Sequence, residues 1–307
     1  MKFFLKRMII SMKKIICIFM TFFMIVGLVF PVFGAESTAI KRERAISFLL
    51  NAGWTEEDIY DLLSDEALLE FADAKAVVAS EKKYYKVTEE ENIEISETEC
   101  MEAVNTINAM TNCTVSVCSG GDTYIDDVTT SDGYLTYYVE LYDFGNGDYM
   151  LSGRFEWLIS PTNRREDVFG VGHDGYLTQY SDYPVYYIYK YEYTIGGSSP
   201  VTHEITTPTG INIDTYGTVI KQDLQNDSTA MNIVEQAVNH RGYLQYKVFV
   251  NNTSAIGFSV NAQYFHQQGV WSVSPSISYP EALSVGISYS TFFKQMSPNP
   301  YLSIKFE

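Results

Sequence analysis

The stretch that decides the fold runs Tyr134-Leu-Thr-Tyr-Tyr-Val-Glu-Leu-Tyr-Asp143, then Phe144-Gly145-Asn146-Gly147, then Asp148-Tyr-Met-Leu-Ser-Gly-Arg-Phe-Glu-Trp-Leu158. Two runs rich in aromatic and β-branched residues flank an Asn-Gly turn, and this pattern is that of an antiparallel hairpin. Downstream of it Tyr, Val, Thr and Ser stay frequent and turn residues recur at short intervals. Further strands are expected near 167–172, 175–180, 184–195, 201–207, 211–224, 241–251, 255–266, 270–279, 283–292 and 300–306. Only 228–240, with Ala230, Ile233, Val234 and Ala237, reads as a helix there. Many short strands without interleaved helices make 112–307 an antiparallel β-sandwich or a jelly-roll-like domain.

Upstream of it, 36–111 reads as a small acidic helical segment. Ile46, Leu49 and Leu50 form one apolar face, and Gly53 stops that helix. Thr55-Glu-Glu-Asp58 is a capping-box start ahead of Ile59, Leu62 and Leu63, and Ser64-Asp-Glu66 opens a third helix over Leu68, Leu69, Phe71 and Ala72. The acids Glu89, Glu90, Glu91, Glu94, Glu97 and Glu99 mark a solvated linker into a last helix over 97–110, with Met101, Val104, Ile107 and Met110 inside.

Residues 1–35 have a basic start, an apolar run from Ile15 to Phe33 and a small-residue exit at Gly34 and Ala35, which is the pattern of a secretory signal peptide. Cleavage after Gly34 or Ala35 gives a secreted, extracellular protein. The apolar run is also long enough to stay as a membrane anchor, and that alternative stands open. Removing the leader's five basic residues (Lys2, Lys6, Arg7, Lys13, Lys14) from the formal charge of −17 leaves −22. Such a surface disfavours nucleic acid, which is bound through cations that displace counterions from phosphate. It disfavours docking to anionic lipid for the same reason. After the leader three cysteines remain, Cys100, Cys113 and Cys118. A bridge from Cys100 to either of the others and three free thiols are both compatible with the spacing, and no Cys-x-x-Cys redox site is present.

Two features are candidate ligand-binding sites. On an alternating strand Tyr187, Tyr189, Tyr191 and Tyr193 share one face, opposite Tyr186, Ile188, Lys190, Glu192 and Thr194. An exposed row of phenols would stack on sugar rings or grip a protein; the ordinary alternative is a row facing the sandwich core. Arg164 and Arg165 form the second feature. The chain has only nine basic residues beyond position 100, so an adjacent pair stands out as a clamp for carboxylate or phosphate. Pairing with the neighbouring Glu166 and Asp167 is the plainer reading.

The stretch 254–293 is almost uncharged and alternates apolar residues with Ser, Gly, Asn and Gln. A membrane-inserting β-hairpin needs that pattern, and so does a half-exposed sandwich strand, which is the preferred reading. The four histidines sit singly, and no catalytic or metal-binding motif occurs. No cofactor is expected. Asp122, Asp126, Asp127, Asp132, Asp143 and Asp148 could supply oxygen ligands to Ca²⁺, although Asp is also an ordinary turn residue. A glycosidase needs only two facing carboxylates, so a carbohydrate-active enzyme stays an alternative.

Gly153-Arg-Phe-Glu-Trp-Leu158 with Pro161, Asn163, Arg164 and Asp167, and Asn239-His-Arg-Gly-Tyr-Leu-Gln-Tyr246, resemble a group of secreted proteins of Gram-positive bacteria that join a leader, a short helical segment and a β-rich domain. The resemblance implies export from a Gram-positive cell and no particular activity. The expectation from the sequence is a secreted or envelope-associated, non-enzymatic protein that binds a glycan or a protein, with a membrane-active β-hairpin protein as the first alternative.

Overall fold

The computed structural model describes residues 37–88, 91–113, 133–161, 164–195, 199–230, 233–252, 257–267, 275–277, 285–287, 293–296 and 300–305. It is mainly β, with two antiparallel sheets packed face to face and short helices near the start, consistent with the expected β-sandwich. The helices are α1 (Thr38–Asn51), α2 (Glu56–Leu62), α3 (Asp65–Glu70) with a 3₁₀ turn at Phe71–Asp73, and α4 (Glu97–Cys113). The side chains of Ser37, Thr55 and Ser64 accept hydrogen bonds from the backbone N–H of Ile40, Asp58 and Ala67 at 3.3, 3.0 and 3.2 Å, which fixes the three starts.

The strands are β1 (Ala76–Val87), β2 (Asn92–Ile95), β3 (Gly133–Gly145), β4 (Asp148–Ile159), β5 (Glu166–His173), β6 (Leu177–Gln179), β7 (Tyr186–Ile195), β8 (Val201–Ile205), β9 (Gly210–Asp214), β10 (Gly217–Asp223), β11 (Ser228–Ala230), β12 (Ile233–Val250), β13 (Gly257–Gln267), β14 (Pro275–Ile277), β15 (Val285–Ile287), β16 (Phe293–Gln295) and β17 (Tyr301–Lys305). The larger sheet has the order β2-β1-β3-β4-β12-β7-β8, with β6 and β11 also on β12. The smaller has the order β16-β13-β5-β10-β9, with β17 also on β13. The hairpin that opened the sequence reading is β3–β4, closed by left-handed backbone at Gly145, Asn146 and Gly147 (φ 83°, 60° and 85°).

Three segments depart from the sequence reading. Residues 76–87 and 92–95 are strands inside the expected helical segment, and β1 pairs with β3 from Ala76↔Asp143 to Val87↔Gly133. The charged middle of β1, Glu81-Lys-Lys83, hides an alternation that places Tyr85 and Val87 in the core. The expected helix at 228–240 is β11 and the first part of β12, and Asn239 (φ 53°) sits in an irregularity where the pairing with β7 skips from Val238 to Arg241. The expected strand 211–224 is the hairpin β9–β10, turned at Gly217 (φ 143°), where a Cβ would lie 2.3 Å from the carbonyl oxygen of Val171.

The main core lies between the sheets. Leu135, Tyr137, Val139 and Leu141 of β3, Leu151, Phe155 and Trp157 of β4, and Leu244, Tyr246 and Val248 of β12 meet Phe169 and Val171 of β5 and Phe258, Val260, Ala262 and Tyr264 of β13. Each large side chain fully buried here contributes about 1.5–3 kcal/mol. A second core forms on the outer face of the larger sheet, where Leu49, Trp54, Ile59, Leu62, Leu68 and Phe71 of the helices cover Tyr142, Met150, Ile188 and Tyr243. The centre of the larger sheet, at β3, β4, β12 and β7, is therefore buried on both faces.

Ion pairs rim that second core. Arg154 pairs with Asp58 at 3.1 Å and its guanidinium lies over the rings of Trp54 and Tyr138 at 4.3 and 3.9 Å. Arg241 binds Asp61 through both Nε and Nη2, Lys190 is 3.6 Å from the same carboxylate, and Lys247 reaches Glu70 at 2.5 Å. Acids of the helices thus meet cations of the sheet, largely out of solvent. Asp61→Ala should lower stability by about 1–3 kcal/mol, because it leaves Arg241 with Glu192 alone and Lys190 with Glu204 alone in a half-buried site. Urea unfolding checks this, and a loss below about 0.5 kcal/mol would show the pairs to be ornamental.

Two histidines are buried and neutral. Burial pushes His173 down to about 4, and burial, then the charge of Arg164, pushes His240 down to about 3. An unfolded histidine titrates near 6.5. The stability held by the neutral rings is therefore complete above about pH 6.5 and drains as the pH falls towards the folded values. Burial raises the carboxyls of Glu156, Asp174 and Asp223, and these work in the opposite sense. A comparison of variants separates the two. Between pH 7 and pH 5 the wild type should lose about 2 kcal/mol more than His240→Phe. Urea midpoints at the two pH values measure it; equal losses would refute a buried neutral imidazole at 240.

Candidate functional site

The tyrosine row lies in the inter-sheet core, which corrects its reading as an open binding surface. Tyr187, Tyr189 and Tyr191 are 5%, 0% and 8% exposed, and Tyr193 packs half-buried against the same core. Their hydroxyls are used internally: Tyr187 donates to Gln222 Oε1 at 2.7 Å, Tyr189 bonds His240 Nδ1 at 2.7 Å, and Tyr193 donates to the Asn226 carbonyl at 3.2 Å. The opposite face of β7 is covered too, by the helices through Ile188 and Tyr186. A strand covered on both faces gives alternation no inside or outside to mark.

The arginine pair is not a clamp of two free cations. Arg164 forms an ion pair with Asp227, and the Arg165 carbonyl accepts from Leu224 N–H at 2.8 Å. Neither expected neighbour pairs with Arg164: Glu166 pairs with Lys221 at 2.7 Å, and Asp167 is fully buried in a knot with Trp157, Tyr264 and His266. Six of the nine basic residues beyond position 100 are thus in ion pairs with acids (Arg154, Arg164, Lys190, Lys221, Arg241, Lys247).

In the uncharged stretch 254–293, β13 belongs to the smaller sheet. Phe258, Val260, Ala262 and Tyr264 face the inter-sheet core, and Asn261 and Gln263 on the other face are buried as well. Most of the remainder of that stretch lies outside the described residues, as do Cys118, residues 1–36, Asp122, Asp126, Asp127 and Asp132. Cys100 is a buried thiol, raised to about 11 by burial. Asp143 accepts from Gly145 N–H at 2.6 Å, and Asp148 accepts from the Tyr180 hydroxyl at 2.5 Å. Among the described residues no group of three or more His, Cys, Asp or Glu side chains could hold a metal ion, and no helix is long and apolar enough to cross a membrane.

One edge of the sandwich, at β8 and β9, is left open. Cross-strand partners on antiparallel strands share a face. Ile211 and Ile213 pair with Ile220 and Thr218, and Ile220 points into the core. Val201 and His203 pair with Tyr193 and Tyr191, again on the inner face. Yet Val201, Ile211 and Ile213 are 59%, 48% and 54% exposed. At the edge formed by β8 and β9, inward-pointing side chains therefore meet solvent.

A cleft of about 460 Å³ opens beside that edge, lined by Thr178, Gln179, Tyr180, Ser181, Tyr183, Val185, Ile213, Asp214 and Thr215. The loop 180–185 supplies one wall, and the β9–β10 turn the other. The Tyr180 ring packs on Phe249 with centroids 4.8 Å apart, and the Tyr183 ring lies 4.3 Å from Lys247 Nζ, so both phenols are held in place. The hydrogen bond to Asp148 pushes the Tyr180 hydroxyl up to about 12, and burial followed by Glu70 raises that of Tyr183. The lining therefore offers two flat rings, three aliphatic hydroxyls, an amide and one carboxylate. The sequence reading passed over it: Tyr180-Ser-Asp-Tyr183 is a short aromatic loop whose opposite wall is about thirty residues away in the chain.

No known protein family matches the chain, and no curated protein does. Among solved structures, the collagen-binding domain of a Staphylococcus aureus adhesin is similar over 38% of this chain and 75% of that chain, at 9% identity and a TM-score of 0.21.

Proposed function

We propose that the protein is an exported, non-enzymatic binding module that takes a glycan in the cleft between the loop 180–185 and the β9–β10 turn. The observation that carries this reading is the lining. A sugar presents apolar C–H faces and a rim of hydroxyls, and tyrosine rings with nearby Thr, Ser, Gln and Asp groups complement both. The lining carries one carboxylate, Asp214, where glycosidases use a pair, so the chemistry supports binding over hydrolysis. The basic start and apolar run of residues 1–35 support export.

The test is a glycan array probed with the mature protein, followed by calorimetry on the ligands retained. Tyr183→Ala should weaken binding by about tenfold, the loss expected when one aromatic platform is removed. Thr215→Trp, which fills the cleft from an exposed position, should abolish it. Retained binding in Thr215→Trp would move the site elsewhere.

A further inference from the structure

The charge around the cleft narrows the ligand, on the premise that the glycan reading holds. None of the nine lining residues is basic. The Asp214 side-chain carboxylate makes no hydrogen bond or ion pair with any other described residue, whereas Glu70, Asp58 and Asp61 of the helices and Glu166 and Asp227 in the smaller sheet and its loops all meet cations. The Tyr180 hydroxyl is committed as a donor to Asp148, and the Tyr183 hydroxyl to Glu70. Neither hydroxyl is therefore free to donate to an anionic ligand. Asp182 lies close enough to Tyr180 to act on its hydroxyl, and the nearest cation, Lys247, is paired with Glu70. The cleft is thus rich in acceptors and negative at its rim. An anionic sugar, whether sialylated, sulfated or a uronic acid, would bring like charge into it. A ligand rich in donors with a positive charge would supply the counter-ion that Asp214 lacks.

We infer that the cleft recognises a glycan bearing a free amino group, with the Asp214 carboxylate as the partner of the ammonium. Calorimetry of the mature protein at physiological salt would compare three probes: a glucosamine tetramer, its N-acetylated counterpart and a glucuronate-containing tetramer. The glucosamine tetramer should bind about tenfold tighter than the acetylated one, a typical size for one partly shielded charge pair, with no binding of the glucuronate probe. Asp214→Asn should erase the tenfold preference, so that the amino and acetylated probes bind with equal affinity. Asp214→Glu should retain the preference. Glu57→Gln removes the same charge from an exposed helix position and should change nothing, which separates site binding from the general attraction of an acidic protein for a cationic oligomer. Equal affinity for the amino and acetylated probes, or a preference that survives Asp214→Asn, overturns the inference and leaves the glycan reading standing. Failure of all three probes and of every glycan on the array overturns both.

Discussion

The acidic helices hold to the outer face of the larger sheet through a stripe of four cations, Arg154, Lys190, Arg241 and Lys247, that rims an apolar patch. Those cations stand on β4, β7 and β12, adjacent strands of one sheet. Arg154 and Lys247 lie over aromatic rings, and Lys190 and Arg241 are mostly out of solvent, where an unpaired charge costs several kcal/mol. The scarcity of basic residues in the β part is thereby explained. Four of them are placed where the helical layer needs a partner. Arg164, one of the two residues of the expected clamp, is likewise held by an acid, Asp227.

Covering the larger sheet on both sides also shapes the place where a ligand fits. The helices attend to the outer face, and the smaller sheet attends to the inner one. At the edge made by β8 and β9 that cover runs out, and inner-face side chains come to the surface. The cleft stands beside this edge because the loop 180–185 and the β9–β10 turn extend past it. The same geometry that buries Tyr187 and Tyr189 leaves Tyr180 and Tyr183, a few residues earlier, standing at the opening.

Local signals in the chain were legible. The Asn-Gly turn, the Ser and Thr caps, and the strand-forming runs of β3 and β4 each depend on residues a few positions apart, and each appears in the fold. What depends on distant partners was not. The strand β1 earns its place only by pairing with β3, some fifty residues on. The Tyr row could not be assigned a face because both faces of β7 are covered. The partner of Arg164 is Asp227, 63 positions away, and no spacing rule reaches that far. The cleft is assembled from a loop and a turn on different sheets, so its chemistry exists only in three dimensions.

Asp61 and Arg241 are separated by 180 positions, and Glu81 meets the backbone of Tyr301 across 220. The helices α1, α2 and α3 come first in the described chain. Their apolar face then has to wait until β12 follows and joins β4 and β7. Closing so long a loop carries an entropic penalty that local contacts cannot offset, which makes assembly slow and concerted. The apolar face of the helices is thus covered late, once β12 has joined β4 and β7.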